Sequence, residues 1–78
     1  MRKQPKKEPD LPAIGRRIRE LREKERQIDV APLLGITQGQ LSKIEIGHTA
    51  PTVAVLLRLR ERYGRSVDWI LTGEEKRG

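Results

Sequence analysis

Residues 31–47 read Ala31-Pro-Leu-Leu-Gly35-Ile-Thr-Gln-Gly-Gln40-Leu-Ser-Lys-Ile-Glu45-Ile-Gly47, and the reading of the whole chain turns on them. Gly35 is the residue type that accepts the left-handed backbone of a tight turn. Thr37 can cap the helix that follows, and Gln40, three residues on, completes a capping box. Leu41 and Ile44 then fall on one side of that helix. Gln38, Gly39, Gln40, Ser42 and Lys43 fall on the other, and Gly47 ends it. Ahead of the turn, Ala31 is small enough to let a preceding short helix approach closely. The pattern is two short helices across a tight turn, the second pinned inward by Ile36, Leu41 and Ile44 and presenting a free outer face.

Working outward, helical punctuation continues in both directions, and no stretch alternates for long enough to make a strand. A first helix starts near Asp10 or Leu11 with Pro12 in its first turn. It carries Leu11, Ile14, Ile18 and Leu21 at helical spacing and runs to about Lys24 or Glu25. Pro32 is costly in a helix interior but harmless in a first turn, so the second helix is expected to start near Asp29 as its N-cap. After Pro51, Thr52 caps a fourth helix that should bury Val53, Leu56, Leu57, Leu59 and Tyr63 before Gly64. Ser66 caps a fifth, carrying Val67, Trp69, Ile70 and Leu71 and ending at Gly73. The expected fold is all-α: one compact five-helix domain over residues 11–73. A basic arm over 1–10, read as disordered, precedes it, and a polar tail over 74–78 follows.

Composition narrows the function classes. The chain has 78 residues, 17 Lys+Arg against 11 Asp+Glu, a net charge of +6 and no cysteine. It is too short for a second core, and a domain of this size gains from a partner that buries more surface. Without cysteine there is neither a disulfide scaffold nor a thiolate metal site, which fits a reducing cytoplasm. No apolar run approaches the ~20 residues that span a bilayer, and no signal-peptide core follows Met1, so no membrane partner is expected. The positive charge fits a polyanion, with double-stranded DNA the leading candidate. Tyr63 and Trp69 are the sole aromatics, too few for the base-stacking platforms of single-strand and RNA binders. His48, the one histidine, has no second ligand or nucleophile beside it, so no metal, cofactor or catalytic residue is expected.

With these pieces in register the chain resembles the Cro/CI-type (Xre) family of helix-turn-helix repressors across roughly Ile14 to Gly73. The resemblance rests on Ile18-Arg-Glu-Leu-Arg22, Leu34-Gly-Ile-Thr-Gln38, Leu41-Ser-Lys-Ile-Glu45, Pro51-Thr52 and Ser66-Val-Asp-Trp-Ile-Leu-Thr-Gly73. It implies a lambda-repressor-like DNA-binding domain whose third helix enters the major groove. Gln38, Gln40, Ser42 and Lys43 are then the base-reading candidates, Gln38 by a bidentate bond to adenine. Gln27, Thr37, His48, Thr49 and Thr52 are the phosphate candidates, the His48-Thr49 loop and Thr52 through hydroxyls and backbone N–H groups. Arg22 and Glu45 match a family pair that bridges the first and third helices.

Two departures from the family pattern matter. Ala31 follows Arg22 by only nine positions, a shorter connection than usual. The usual Ser/Thr-Gln opening of the second helix is also missing, so Gln27 either stands in for that glutamine or belongs to an altered loop. The generous apolar run Val67, Trp69, Ile70 and Leu71 marks a candidate dimer interface, although core packing is the simpler reading of Trp69. The implied function is a homodimeric transcriptional regulator acting on a palindromic operator, cytoplasmic and nucleoid-associated in a bacterium or phage. It would stand near small Cro-like repressors and restriction–modification controller proteins. The competing reading is an antitoxin-like module that neutralises a protein partner and autoregulates.

Overall fold

The structure is a computed structural model that describes residues 8–75; most of the basic arm (1–7) and the end of the polar tail (76–78) lie outside the described residues. Five α-helices follow one another: α1 Leu11–Arg22, α2 Gln27–Val30, α3 Gln38–Glu45, α4 Val53–Tyr63 and α5 Val67–Thr72. A 3₁₀ turn, Ala31–Leu34, continues α2. The described residues contain no strand. Local chemistry sets most of these starts. The side chains of Asp10, Thr37, Thr52 and Ser66 each accept a hydrogen bond from the backbone N–H three residues on, which satisfies a donor that the first helical turn leaves free.

Every element contributes to a single core. Ile14 and Ile18 come from α1; Val30, Ala31 and Leu34 from α2 and its extension; Leu41 and Ile44 from α3. Val55, Leu56 and Leu59 come from α4 and Ile70 from α5. Burying each of the larger side chains is worth about 1.5–3 kcal/mol, which is what such short helices need, since few would persist alone. Gly15 brings α1 and α3 together: a β-carbon there would lie 2.6 Å from the Glu45 carbonyl carbon. Gly35, at φ 76°, makes the turn between the 3₁₀ segment and α3, and its N–H bonds the Pro32 carbonyl at 3.0 Å.

The second helix differs from its expected form. It begins at Gln27, with Arg26 as its N-cap and no side-chain cap. Asp29 is not the cap; its carboxylate accepts from Arg26 Nε at 2.9 Å on the surface. Pro32 is accommodated because the α-helix gives way to the 3₁₀ turn in which it holds one of the first two positions. The first helix ends at Arg22, two or three residues earlier than expected, because Glu23 takes a positive φ of 51°. In α4, Val53 is 72% exposed and Leu57 is exposed, whereas Val55 is buried. The first turn of that helix is apolar all round, so sequence spacing alone does not identify its inner face. Ile28, Leu33 and Ile46 are also exposed.

The short α1–α2 connection is held from two sides. Arg22 Nη1 donates to the Glu25 carbonyl at 2.7 Å. The Glu25 carboxylate accepts from Tyr63 Oη at 2.6 Å and pairs with Arg62, both at the end of α4. Those two bonds hold the Glu25 carboxyl below the usual carboxylate range. Partial burial, then the bond to Glu25, pushes the Tyr63 phenol above its ordinary value.

Two outcomes follow. Gly15→Ala, usually a gain inside a helix, should lower stability by about 1–3 kcal/mol because α3 must be displaced; denaturant unfolding followed by Trp69 fluorescence measures it. The folded chain keeps Tyr63 neutral to higher pH than the unfolded chain does. Its contribution is therefore complete below about pH 10 and is lost as pH rises through the raised folded value. Glu25 behaves oppositely, contributing above about pH 4.3 and losing that contribution as pH falls through its lowered folded value. Tyr63 is the one tyrosine, so tyrosinate absorbance reports it alone. The midpoint should lie above about 10 and fall when Glu25→Gln removes the facing charge. A midpoint that does not move in the variant would exclude the clamp.

Candidate nucleic-acid interface

Among the described residues Glu45 is the one buried polar or charged residue, its side chain only 3% exposed. A carboxylate in that position requires donors, and three reach it. Arg22 Nε donates to Oε2 at 2.7 Å and Arg22 Nη2 to Oε1 at 2.7 Å, a bidentate pair between α1 and α3. Gln27 Nε2 adds a bond to Oε1 at 2.8 Å. The bond to Glu45 is the main reason that the Arg22 guanidinium is held charged, its pKa raised.

The chain of bonds continues outward. With its amide nitrogen on Glu45, Gln27 must present its oxygen away from the core, and Gln38 Nε2 donates to that oxygen at 2.7 Å. Gln38 is thereby oriented: one N–H is used, while its second N–H and its oxygen remain open on the exposed side of α3. An N–H and a carbonyl oxygen are the group types that adenine N7 and N6 call for. Gln27 is thus the first residue of α2 rather than part of a loop ahead of it.

The other candidates differ in how free they are. Thr37 and Gln40 close a reciprocal capping box, with Gln40 Oε1 accepting from the Thr37 N–H at 2.8 Å, so the Gln40 oxygen is partly engaged while its NH₂ stays open. Lys43 is exposed and Ser42 half-buried. Thr52 is exposed, and its hydroxyl accepts from the Val55 N–H at 3.2 Å. His48 and Thr49 are exposed, but their backbone N–H groups turn inward to the Lys43 carbonyl, at 2.9 and 3.4 Å. That corrects the expectation of backbone N–H contacts there: the α3 C-terminus uses those donors, and the side chains are what remain. Arg19, not among the candidates drawn from the sequence, lines the same groove as Gln27 and Gln38. Its position three residues before Arg22 was the available signal.

The proposed interface on α5 is reduced. Ile70 is fully buried in the domain's own core and drops out. Val67 and Trp69 pack against that core, and Arg65 covers the Trp69 ring at 3.8 Å. Leu71 alone of the four is exposed.

A helix-turn-helix family model matches residues 18–70. The chain belongs to the Cro/CI-type (Xre) helix-turn-helix family. It is a DNA-binding transcription regulator of that family, with the lambda-repressor-like fold. Its fold is similar to that of the P22 c2 repressor, solved in complex with a synthetic operator, at a TM-score of 0.72 and 32% identity, covering 78% of this chain and 96% of that one. It is also similar to the restriction–modification controller protein C.AhdI from Aeromonas hydrophila, at 0.69 and 25%, covering 80% and 97%. A hydroxypropylphosphonic acid epoxidase from S. wedmorenis reaches 0.67 at 23% identity over 78% of this chain and 34% of that one, a likeness of fold alone. Among curated proteins no relative matches. No helix of the described residues is long and apolar enough to cross a membrane.

Arg22→Ala should destabilise the domain by about 3–5 kcal/mol, because it strips a buried carboxylate of its counter-charge. Arg22→Met combined with Glu45→Leu should recover most of that loss in the same denaturant titration, although the support for Gln27 is gone.

Proposed function

We propose that this regulator is a sequence-specific binder of double-stranded DNA and acts as a homodimeric repressor, with α3 in the major groove of each half of a palindromic operator. The observation that carries the reading is the relay Arg22–Glu45–Gln27–Gln38, which fixes a bidentate amide at the start of an exposed helix face. Gln38 is the adenine reader, Lys43 reaches guanine or phosphate, and Ser42 and the Gln40 NH₂ are the remaining base contacts. Arg19, Thr37, His48, Thr49 and Thr52 meet the phosphate backbone, where the net charge of +6 favours encounter. Gln27 serves as a positioning residue for Gln38 in addition to any phosphate contact. Support comes from the P22 c2 repressor's operator complex, at 32% identity. Two half-sites about one helical turn (~34 Å) apart suit a small domain that binds as a pair.

Selection of bound sequences from random duplex DNA, repeated at several salt concentrations, tests this. A two-fold symmetric consensus is expected, with affinity falling as salt rises. A steep salt slope without a consensus would reduce the protein to a non-specific phosphate binder. Gln38→Ala should relax preference at one base pair per half-site and cost about 1–3 kcal/mol on the selected site. Equal weakening on all sequences would instead make Gln38 a phosphate contact.

A further inference from the structure

Five of the six described glycines are required by the fold in one of two ways. Gly35, Gly47, Gly64 and Gly73 have positive φ, and Gly15 is required by the backbone of α3 packed against it. Gly39 belongs with neither. It is the second residue of α3, is exposed, and has no positive φ; a β-carbon there would meet only Thr37 Oγ1, at 4.0 Å, an ordinary contact. Glycine is nevertheless among the poorest helix formers, and at a compatible φ it also leaves the unfolded chain more freedom to lose. Neither its backbone angle nor a close neighbour among the described residues requires it.

Its position supplies a reason. Gly39 lies between Gln38 and Gln40 and one turn before Ser42 and Lys43, on the exposed face of α3. The two glutamines are not free to extend. Gln38 is tied back to Gln27 at 2.7 Å, and Gln40 to the Thr37 N–H at 2.8 Å. An amide held back by such a bond reaches less far than a free one, so base contact asks the helix itself to come closer. A side chain at position 39 would be the first obstacle to that approach.

We propose that Gly39 is a specificity-determining residue whose missing side chain lets the first turn of α3 seat directly on the base-pair edges, within reach of a Gln38 amide held short by Gln27. The inference rests on the reading that α3 enters the major groove, and it adds that the fold gives up local helix stability for closeness.

The test compares Gly39→Ala with Gln38→Ala in the full chain, using the duplex recovered by selection and a second duplex of unrelated sequence. Gly39→Ala should raise the thermal midpoint by about 2–5 °C. Its affinity for the selected duplex should fall tenfold or more, while affinity for the unrelated duplex stays within about twofold. Retention of selected-site affinity in Gly39→Ala, with Gln38→Ala still impaired, would overturn the proposal and leave base reading by α3 standing. Intact affinity in both variants would overturn base reading itself. A lowered midpoint, or equal losses on both duplexes, would also overturn the proposal by showing that the glycine serves the fold or general DNA attraction.

Discussion

The buried carboxylate of Glu45 is the constraint on which the rest of this structure depends. An ionised group almost wholly removed from water needs several donors at once, and it draws them from α1 and from the start of α2. Those donors fix three helices relative to one another. A hydrophobic cluster of the same volume would hold them as firmly, since buried ion pairs contribute little net stability against apolar replacements. What it would lack is direction. The carboxylate forces Gln27 to turn its nitrogen inward and its oxygen outward, and the oxygen in turn orients Gln38. Order established in the core is thus delivered as hydrogen-bond polarity at the surface.

The shortened α1–α2 connection fits the same logic. Removing residues between Arg22 and Gln27 would displace the glutamine unless the loop were held in place, and Glu25 holds it by engaging Tyr63 and Arg62 at the far end of α4. Arg22 binds both the Glu25 carbonyl and the Glu45 carboxylate, so one guanidinium couples the loop to α3. Changes at the end of α4 therefore bear on the α2 start through a continuous set of polar contacts, although no base-reading candidate lies on α4.

Legibility in the sequence followed the range of the interactions. The capping box of Thr37 and Gln40 spans three residues and was read correctly, as were the Thr52 and Ser66 caps and the turn at Gly35. The start of α2 was misread because a local signal, Asp29 ahead of Pro32, competed with bonds from Gln27 to residues 11 and 18 positions away. The Arg22–Glu45 pairing was anticipated from family likeness, and the structure supplies what that likeness did not, namely its continuation through Gln27. In α4 the run Val53-Ala-Val-Leu-Leu57 is apolar on every side, and only the packing of the other helices selects Val55 over Val53.

The apolar run on α5 shows the same limit from the other direction. Read as sequence, Val67, Trp69, Ile70 and Leu71 exceed what a six-residue helix needs and invite a partner. In the fold, Ile70 completes the core beside Ile14 and Ile18, and Arg65 covers one face of Trp69 while pairing with Glu75 at 3.3 Å. Much of the excess is spent within the domain. A second copy meeting this region would therefore find a mixed surface, with Leu71 and the rim of Trp69 set among charges. Pairing on such a surface would be weak in isolation and strengthened by two half-sites on one duplex, because binding one copy raises the effective concentration of the next. Under the operator reading proposed above, the duplex itself would then supply part of what holds two copies together, because Leu71 alone of the four apolar residues of α5 is exposed.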